Sequence, residues 1–201
     1  MYNPFSLIGK TILVTGASSG IGRATAVECS KMGATLILIG RNEERLKETL
    51  SLLEGNRHSY LCYDLSKEEN LKELCSKIPT IDGLAHCAGI SMLKPILALN
   101  TNNLQDVFST NLYAPILLTK QLAKAKKLQI GASLVFVGSI SGISNVENAV
   151  SREEGKNNTG IAIPFNNPNS SNAFSLDVLN FVSDSGIKIF SKVRSKFCMK
   201  S

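Results

Sequence analysis

The segment Thr15-Gly16-Ala17-Ser18-Ser19-Gly20-Ile21-Gly22 packs three glycines and two serines into eight residues, directly after a short apolar run. Gly16 can take the positive φ of a tight turn. Gly20 lets the main chain approach a diphosphate with no Cβ in the way, and Gly22 allows a helix to pack closely on a strand. Amides at a helix start face an anion, helped by the partial positive charge there. The chemistry suggested is a dinucleotide cradle, with Gly16, Ser18, Ser19, Gly20, Ile21 and Gly22 as its candidate contacts. The spacing is G-x-x-x-G-x-G rather than the generic G-x-G-x-x-G, so the place between strand and helix carries the reading. A glycine-rich turn that binds nothing is the alternative. A second feature is Gly40-Arg41, at the end of the next apolar run. A carboxylate there would accept bonds from a ribose diol and repel a 2′-phosphate, whereas a guanidinium pairs with that phosphate. This favours NADP, with NAD as the alternative; Arg41 could also simply open a solvated helix.

Other chemistries find little support. The five cysteines, Cys29, Cys62, Cys75, Cys87 and Cys198, form no close pair of the kind a zinc site or a disulfide framework needs. No metal is expected, and reduced thiols suit a cytoplasmic protein. The net charge of +6, from 22 Lys and Arg against 16 Asp and Glu, is concentrated after Gly186, where Lys188, Lys192, Arg194, Lys196 and Lys200 stand without an acidic neighbour. That end carries no recognisable nucleic-acid motif, so a solvated tail is expected, with no nucleic-acid or membrane partner. No window approaches the ~18 uncharged apolar residues of a membrane span, and Met1 to Gly9 lacks the marks of a secretory signal.

The elements that must position these residues follow from periodicity. Thr11 to Val14 is a short apolar run without polar alternation, which predicts a strand buried on both faces. Ile21, Thr25, Cys29 and Met32 then fall on one helical stripe, and Gly33 can end that helix. Ala34 to Ile39 repeats the strand pattern. Asn42 can cap a second helix with Leu46, Leu50 and Leu53 facing inward. A weaker third strand, Tyr60 to Tyr63, leads to Asp64, after which Ser66 and Glu69 read as a capping box for a helix reaching Lys77. Ile81 to Ala88 is expected as a fourth strand and Thr101 to Lys127 as a long helix kinked at Pro115. Ala132 to Val137 is expected as a fifth strand. Strands separated by helices of this length need crossover connections, so the fold class is α/β, a doubly wound parallel sheet in three αβα layers. In such sheets ligands bind at the carboxyl ends of the strands.

The string TGASSGIG after a first buried strand closely resembles the short-chain dehydrogenases/reductases, which bind NAD or NADP on a Rossmann-type sheet. Further matches come in the family's order: Asp64-Leu65 after the third strand, Cys87-Ala88-Gly89 after the fourth, Asn111 in the long helix, and Ser139 within Gly138-Ser139-Ile140-Ser141-Gly142 after the fifth. The resemblance implies that Asp64 contacts the adenine, with Leu65, Ala88 and Gly89 also at the cofactor. Cys87 stands where the family's segment has asparagine. It further implies hydride transfer between a nicotinamide and a ketone or secondary alcohol, with Ser139 polarising the carbonyl and Asn111 supporting a proton relay. An acid of tuned pKa is needed to protonate the alkoxide that hydride arrival creates. The family uses a tyrosine with a lysine four residues later.

At those two places this chain has Arg152 and Lys156. All four tyrosines, Tyr2, Tyr60, Tyr63 and Tyr113, precede Ser139, so none is a shifted copy. An arginine stays protonated, with a pKa above ~12, and cannot serve as the acid. Lys156 is the candidate ribose contact. Residues 157–172 are dense in Asn, Ser and Gly and broken by Pro164 and Pro168. The expected organisation is therefore a dinucleotide-binding core over 1–142 and a divergent polar segment over 143–201. The expected function is an oxidoreductase of this type acting on a small carbonyl or alcohol, free to assemble as a homo-oligomer. The alternative is a catalytically impaired or truncated member that binds dinucleotide without turnover.

Overall fold

The computed structural model describes residues 4–92 and 96–138. Four strands, β1 (Thr11–Thr15), β2 (Thr35–Gly40), β3 (Ser59–Cys62) and β4 (Ile81–His86), pair in parallel, and β5 (Leu128–Phe136) completes the sheet in the order β3-β2-β1-β4-β5. The connections are α1 (Gly20–Lys31), α2 (Glu43–Ser51), α3 (Glu68–Lys77), α4 (Thr101–Phe108) and α5 (Ala114–Lys124). The chain divides into two units, Met1–Leu134 and Val135–Ser201, and the glycine turn and these five helices lie in the first.

The sheet is buried on both faces because alternate side chains of its apolar runs feed two separate cores. Val14, Leu36 and Leu38 pack with Ala26 of α1 and Leu46 of α2. Leu13, Ile37 and Ile39 pack with Leu71 and Leu74 of α3 and with Leu118 and Leu122 of α5. This is the expected three-layer arrangement. No helix of the described residues is long and apolar enough to cross a membrane.

Several local expectations change. In α1 the buried line is Gly22, Ala26 and Ser30, one step round from the expected stripe, whose members Ile21, Thr25, Cys29 and Met32 are only half-buried. Small residues win that face because the helix lies so close to the chain below it that a Cβ on Gly22 would stand 2.3 Å from the Gly16 carbonyl oxygen. The helix ends as expected at Gly33 (φ +90°). There the Gly33 amide donates to Ser30 O and that of Ala34 to Cys29 O, a Schellman motif. Asn42 caps α2 by accepting from the Arg45 amide at 2.9 Å. The capping box at α3 does not form. Ser66 turns back instead and gives both its amide and its hydroxyl to Asp64 Oδ1.

The expected long helix is three pieces. A π-helical turn over Ser109–Tyr113 separates α4 from α5. Pro115 then falls at the start of α5, directly after this turn; the backbone on its N-terminal side stays right-handed helical, with the Ala114 amide on Ser109 O, so the π-turn stands where the proline removes an amide from the helical run. The end of α5 is a second Schellman motif, with the Lys126 amide on Ala123 O and that of Lys127 on Leu122 O. Here Lys126 itself takes the left-handed conformation (φ 53°). The fourth strand ends at His86 rather than Ala88, and the fifth begins earlier than its apolar core, at Leu128.

Candidate functional site

The carboxyl ends of β1 to β4 bring the glycine turn, Arg41, Asp64 and the Cys87-Ala88-Gly89 segment to one edge of the sheet. Three glycines of the turn have three different reasons to be glycine. Gly16 sits at φ +66°, and a Cβ there would meet Ala88 Cα at 2.7 Å, so the turn rests directly on the loop after β4. Gly22 has no space for a Cβ against the Gly16 carbonyl. Gly20 sits at φ +52° with nothing within 4 Å of where its Cβ would be. Its open side faces outward at the start of α1, where the first amides have no acceptor within the helix. Ser19, the N-cap, has no side-chain cap bond. Ser19 and Gly20 are exposed, while Ser18 and Ile21 on either side are half-buried. This is a groove that a diphosphate would fit, since it offers amides, a helix N-terminus and no Cβ obstruction.

Two residues that the sequence alone does not single out hold this turn. Thr15, fully buried, accepts from the amides of both Cys87 and Ala88 at 3.1 Å, and so ties the end of β1 to that of β4. The replacement of asparagine by Cys87 thus leaves both amides satisfied. Arg23 donates to Ser18 O (2.8 Å), Thr49 Oγ1 (3.0 Å) and Glu48 Oε2 (3.0 Å), and the Thr49 hydroxyl donates to Ala17 O (2.8 Å). Together they clamp the turn to α2. The signal was present in the sequence as an arginine directly after the glycine string, but its partners on α2 lie some 25 residues away and have no pattern of their own.

Arg41 is exposed at the end of β2, and Gly40 before it is tight against Ser18, whose Cβ lies 3.3 Å from where a Gly40 Cβ would stand. Arg41 and Asp64 line a cavity of about 520 Å³ that Ile90, Ser109 and Thr110 also line. Partial burial raises the Asp64 pKa, but the two bonds from Ser66 and the charges of Arg41 and Lys67 outweigh it, so the carboxyl is held below the usual range. Leu65 points the other way, into the core, so only its main chain is at this edge. Asn111, in the π-turn, makes a two-point bond with Ile90: Oδ1 accepts from the Ile90 amide at 2.8 Å and Nδ2 donates to its carbonyl at 2.9 Å. Gly89 lies beside it, and a Cβ there would stand 3.4 Å from Asn111 Oδ1, at the near limit of ordinary contact. The Asn111 side chain is therefore engaged in bracing the loop after β4. Burial pushes the Cys87 thiol up to about 11, against a weak bond to Thr25, which makes it a poor nucleophile. Among the described residues no group of three or more His, Cys, Asp or Glu could hold a metal. Ser139, Arg152 and Lys156 lie outside the described residues.

Comparison with known proteins agrees with this geometry. The family model described as short chain dehydrogenase matches residues 10–151. Among curated proteins, the uncharacterized oxidoreductase YciK of Escherichia coli K12 is 37% identical over 143 residues, covering 66% of this chain and 57% of its own length. The 3-oxoacyl-[acyl-carrier-protein] reductase FabG of Rickettsia felis is 35% identical over 138 residues, covering 69% and 57%. The chain thus spans a little over half the length of these relatives. Among solved structures, a short chain dehydrogenase of Escherichia coli CFT073 in complex with NADPH superposes with a TM-score of 0.64 at 34% identity, over 71% of this chain and 64% of the other.

Proposed function

The chain belongs to the short-chain dehydrogenase family, and on that footing we propose that it binds NADP(H) at the carboxyl ends of β1 to β4 and transfers hydride between that cofactor and a ketone or secondary alcohol. The observation that carries the reading is the Gly20 opening: a glycine at positive φ with clear space at a helix start, flanked by amides and by the accessible Arg41. In this assignment the Gly16–Gly22 amides hold the diphosphate, Arg41 pairs with the 2′-phosphate, and Asp64 keeps Oδ2 for the adenine while Ser66 occupies Oδ1. NADP(H), once bound, supplies or accepts the hydride. Ser139 polarises the substrate carbonyl and Lys156 meets the ribose, as the resemblance implies. Residues 1–142 act as the binding core, with 143–201 as a divergent segment. The free thiols of Cys29, Cys62, Cys75 and Cys87 suit a reducing cytoplasm.

A second reading, dinucleotide binding without turnover, is favoured by one observation, Arg152 at the place of the family's tyrosine. A guanidinium can stabilise an alkoxide but has no proton to give at working pH. One experiment separates the two. The full chain is titrated with NADPH and NADH and then assayed, by loss of reduced-nicotinamide absorbance, against a panel of ketones. NADPH binding with turnover supports the first reading, NADPH binding without turnover the second, and tighter binding of NADH overturns the cofactor choice. In the second case Arg152→Tyr is expected to restore reduction.

A further inference from the structure

The sheet order divides any dinucleotide held here. On the cofactor reading above, Arg41 and Asp64 at the ends of β2 and β3 would hold its adenosine half and the turn after β1 its diphosphate, which would leave the segment after β4 for the other half. The main chain it would meet there is residues 86–90. Thr15 holds the amides of 87 and 88 from the β1 side, and Asn111 holds both polar groups of Ile90 from the helix side. Asn111, however, sits in a π-turn, and a π-turn inserts an extra residue into a helix that advances by about 100° per residue. Where Asn111 points therefore depends on what fixes the rotation of the helix that follows.

That fixture is in the structure. His86, the last residue of β4, is only 5% exposed. Its Nε2 lies 3.0 Å from Thr119 Oγ1, on α5, two turns beyond Asn111. The Thr119 hydroxyl gives its single proton to Pro115 O at 2.8 Å, so it must accept from His86, whose ring N–H is thereby placed on Nε2. A buried ring of this kind is desolvated and has to be satisfied by a specific partner, which makes the bond directional as well as attractive.

We propose that His86 and Thr119 are positioning residues for the nicotinamide half of the site: their bond sets the rotation of α5 against the end of β4, and through the π-turn it sets the Asn111–Ile90 brace. The inference rests on the cofactor reading above. It differs from a role in core stability, because it acts on one half of the ligand only. Neither residue lines the cavity at Arg41 and Asp64.

The test uses the full chain with two variants, Thr119→Val, which keeps the shape and removes the hydroxyl, and Thr119→Ser, which keeps the hydroxyl. Affinities are measured for NADPH and for 2′-phosphoadenosine 5′-diphosphate, the fragment without the nicotinamide riboside, together with the melting temperature. Thr119→Val is expected to weaken NADPH about fivefold relative to the fragment, the loss of one hydrogen bond's worth of placement, and Thr119→Ser to bind both ligands as the parent does. Equal weakening of both ligands, or no change in either, overturns the inference while leaving the cofactor reading standing. Failure of the unaltered chain to bind either ligand overturns the cofactor reading itself and takes this inference with it.

Discussion

Gly20→Ala is the substitution that separates binding from folding, because the three glycines of the turn differ in what a methyl would meet. At Gly22 it would stand 2.3 Å from a carbonyl oxygen, and at Gly16 2.7 Å from the main chain of Ala88, so either change must move the backbone. At Gly20 nothing lies within 4 Å, and the cost to the fold is that of an alanine at φ +52°, about 1 to 2 kcal/mol. For a chain of this size that lowers the melting temperature by roughly 2 to 8 °C. The methyl nevertheless projects into the space a diphosphate needs to reach the amides of α1. Losing one charge-assisted bond of about 1.5 to 3 kcal/mol weakens NADPH by roughly ten- to a hundredfold. The assay is a titration of NADPH fluorescence beside a thermal melt of the same sample. Affinity within about twofold of the parent, with the fold intact, would refute the argument that these amides grip the diphosphate.

Three further outcomes are expected. Arg41→Glu should invert cofactor preference, since the carboxylate repels the 2′-phosphate and accepts from a ribose diol; the ratio of NADPH to NADH affinity measures it. Lys126→Gly should raise the melting temperature by about 2 to 4 °C, because glycine takes the left-handed position that lysine now occupies at the end of α5. Asp64 has a folded pKa below its unfolded value, so its contribution is present above the ordinary carboxylate range and is lost as pH falls through the depressed folded value. Asp64→Asn should therefore destabilise the protein at neutral pH, and the gap from the parent should close in acid, as read from unfolding curves across that range.

The sequence made the scaffold legible where one local rule decided the outcome. Unbroken apolar runs marked β1 and β2, Gly33 marked the end of α1, and Asn42 capped α2 as its side chain allowed. It misled where two local rules competed. Ser66 could cap a helix or bond an aspartate two residues back, and the shorter loop to Asp64 won. The face of α1 was decided by how close the helix could approach, which favoured Gly22 and Ala26 over the bulkier Ile21 and Cys29, and periodicity is blind to that distance. Pro115 marked an interruption of the long helix but not its π-helical form, which pairs Asn111 with Ile90. The glycine turn and Arg41 stood out by composition, whereas Thr15, Arg23 and His86 matter through partners far off in the chain.

Position 15 also limits how this protein can change. A single, fully buried hydroxyl there serves two main-chain donors. Valine, the same shape without the oxygen, would strand both, so the ordinary interchange of β-branched residues along a strand is closed at its last residue. Drift in the loop after β4 is tolerable only so long as its backbone still ends at that oxygen, which binds the histories of the first and fourth strands together.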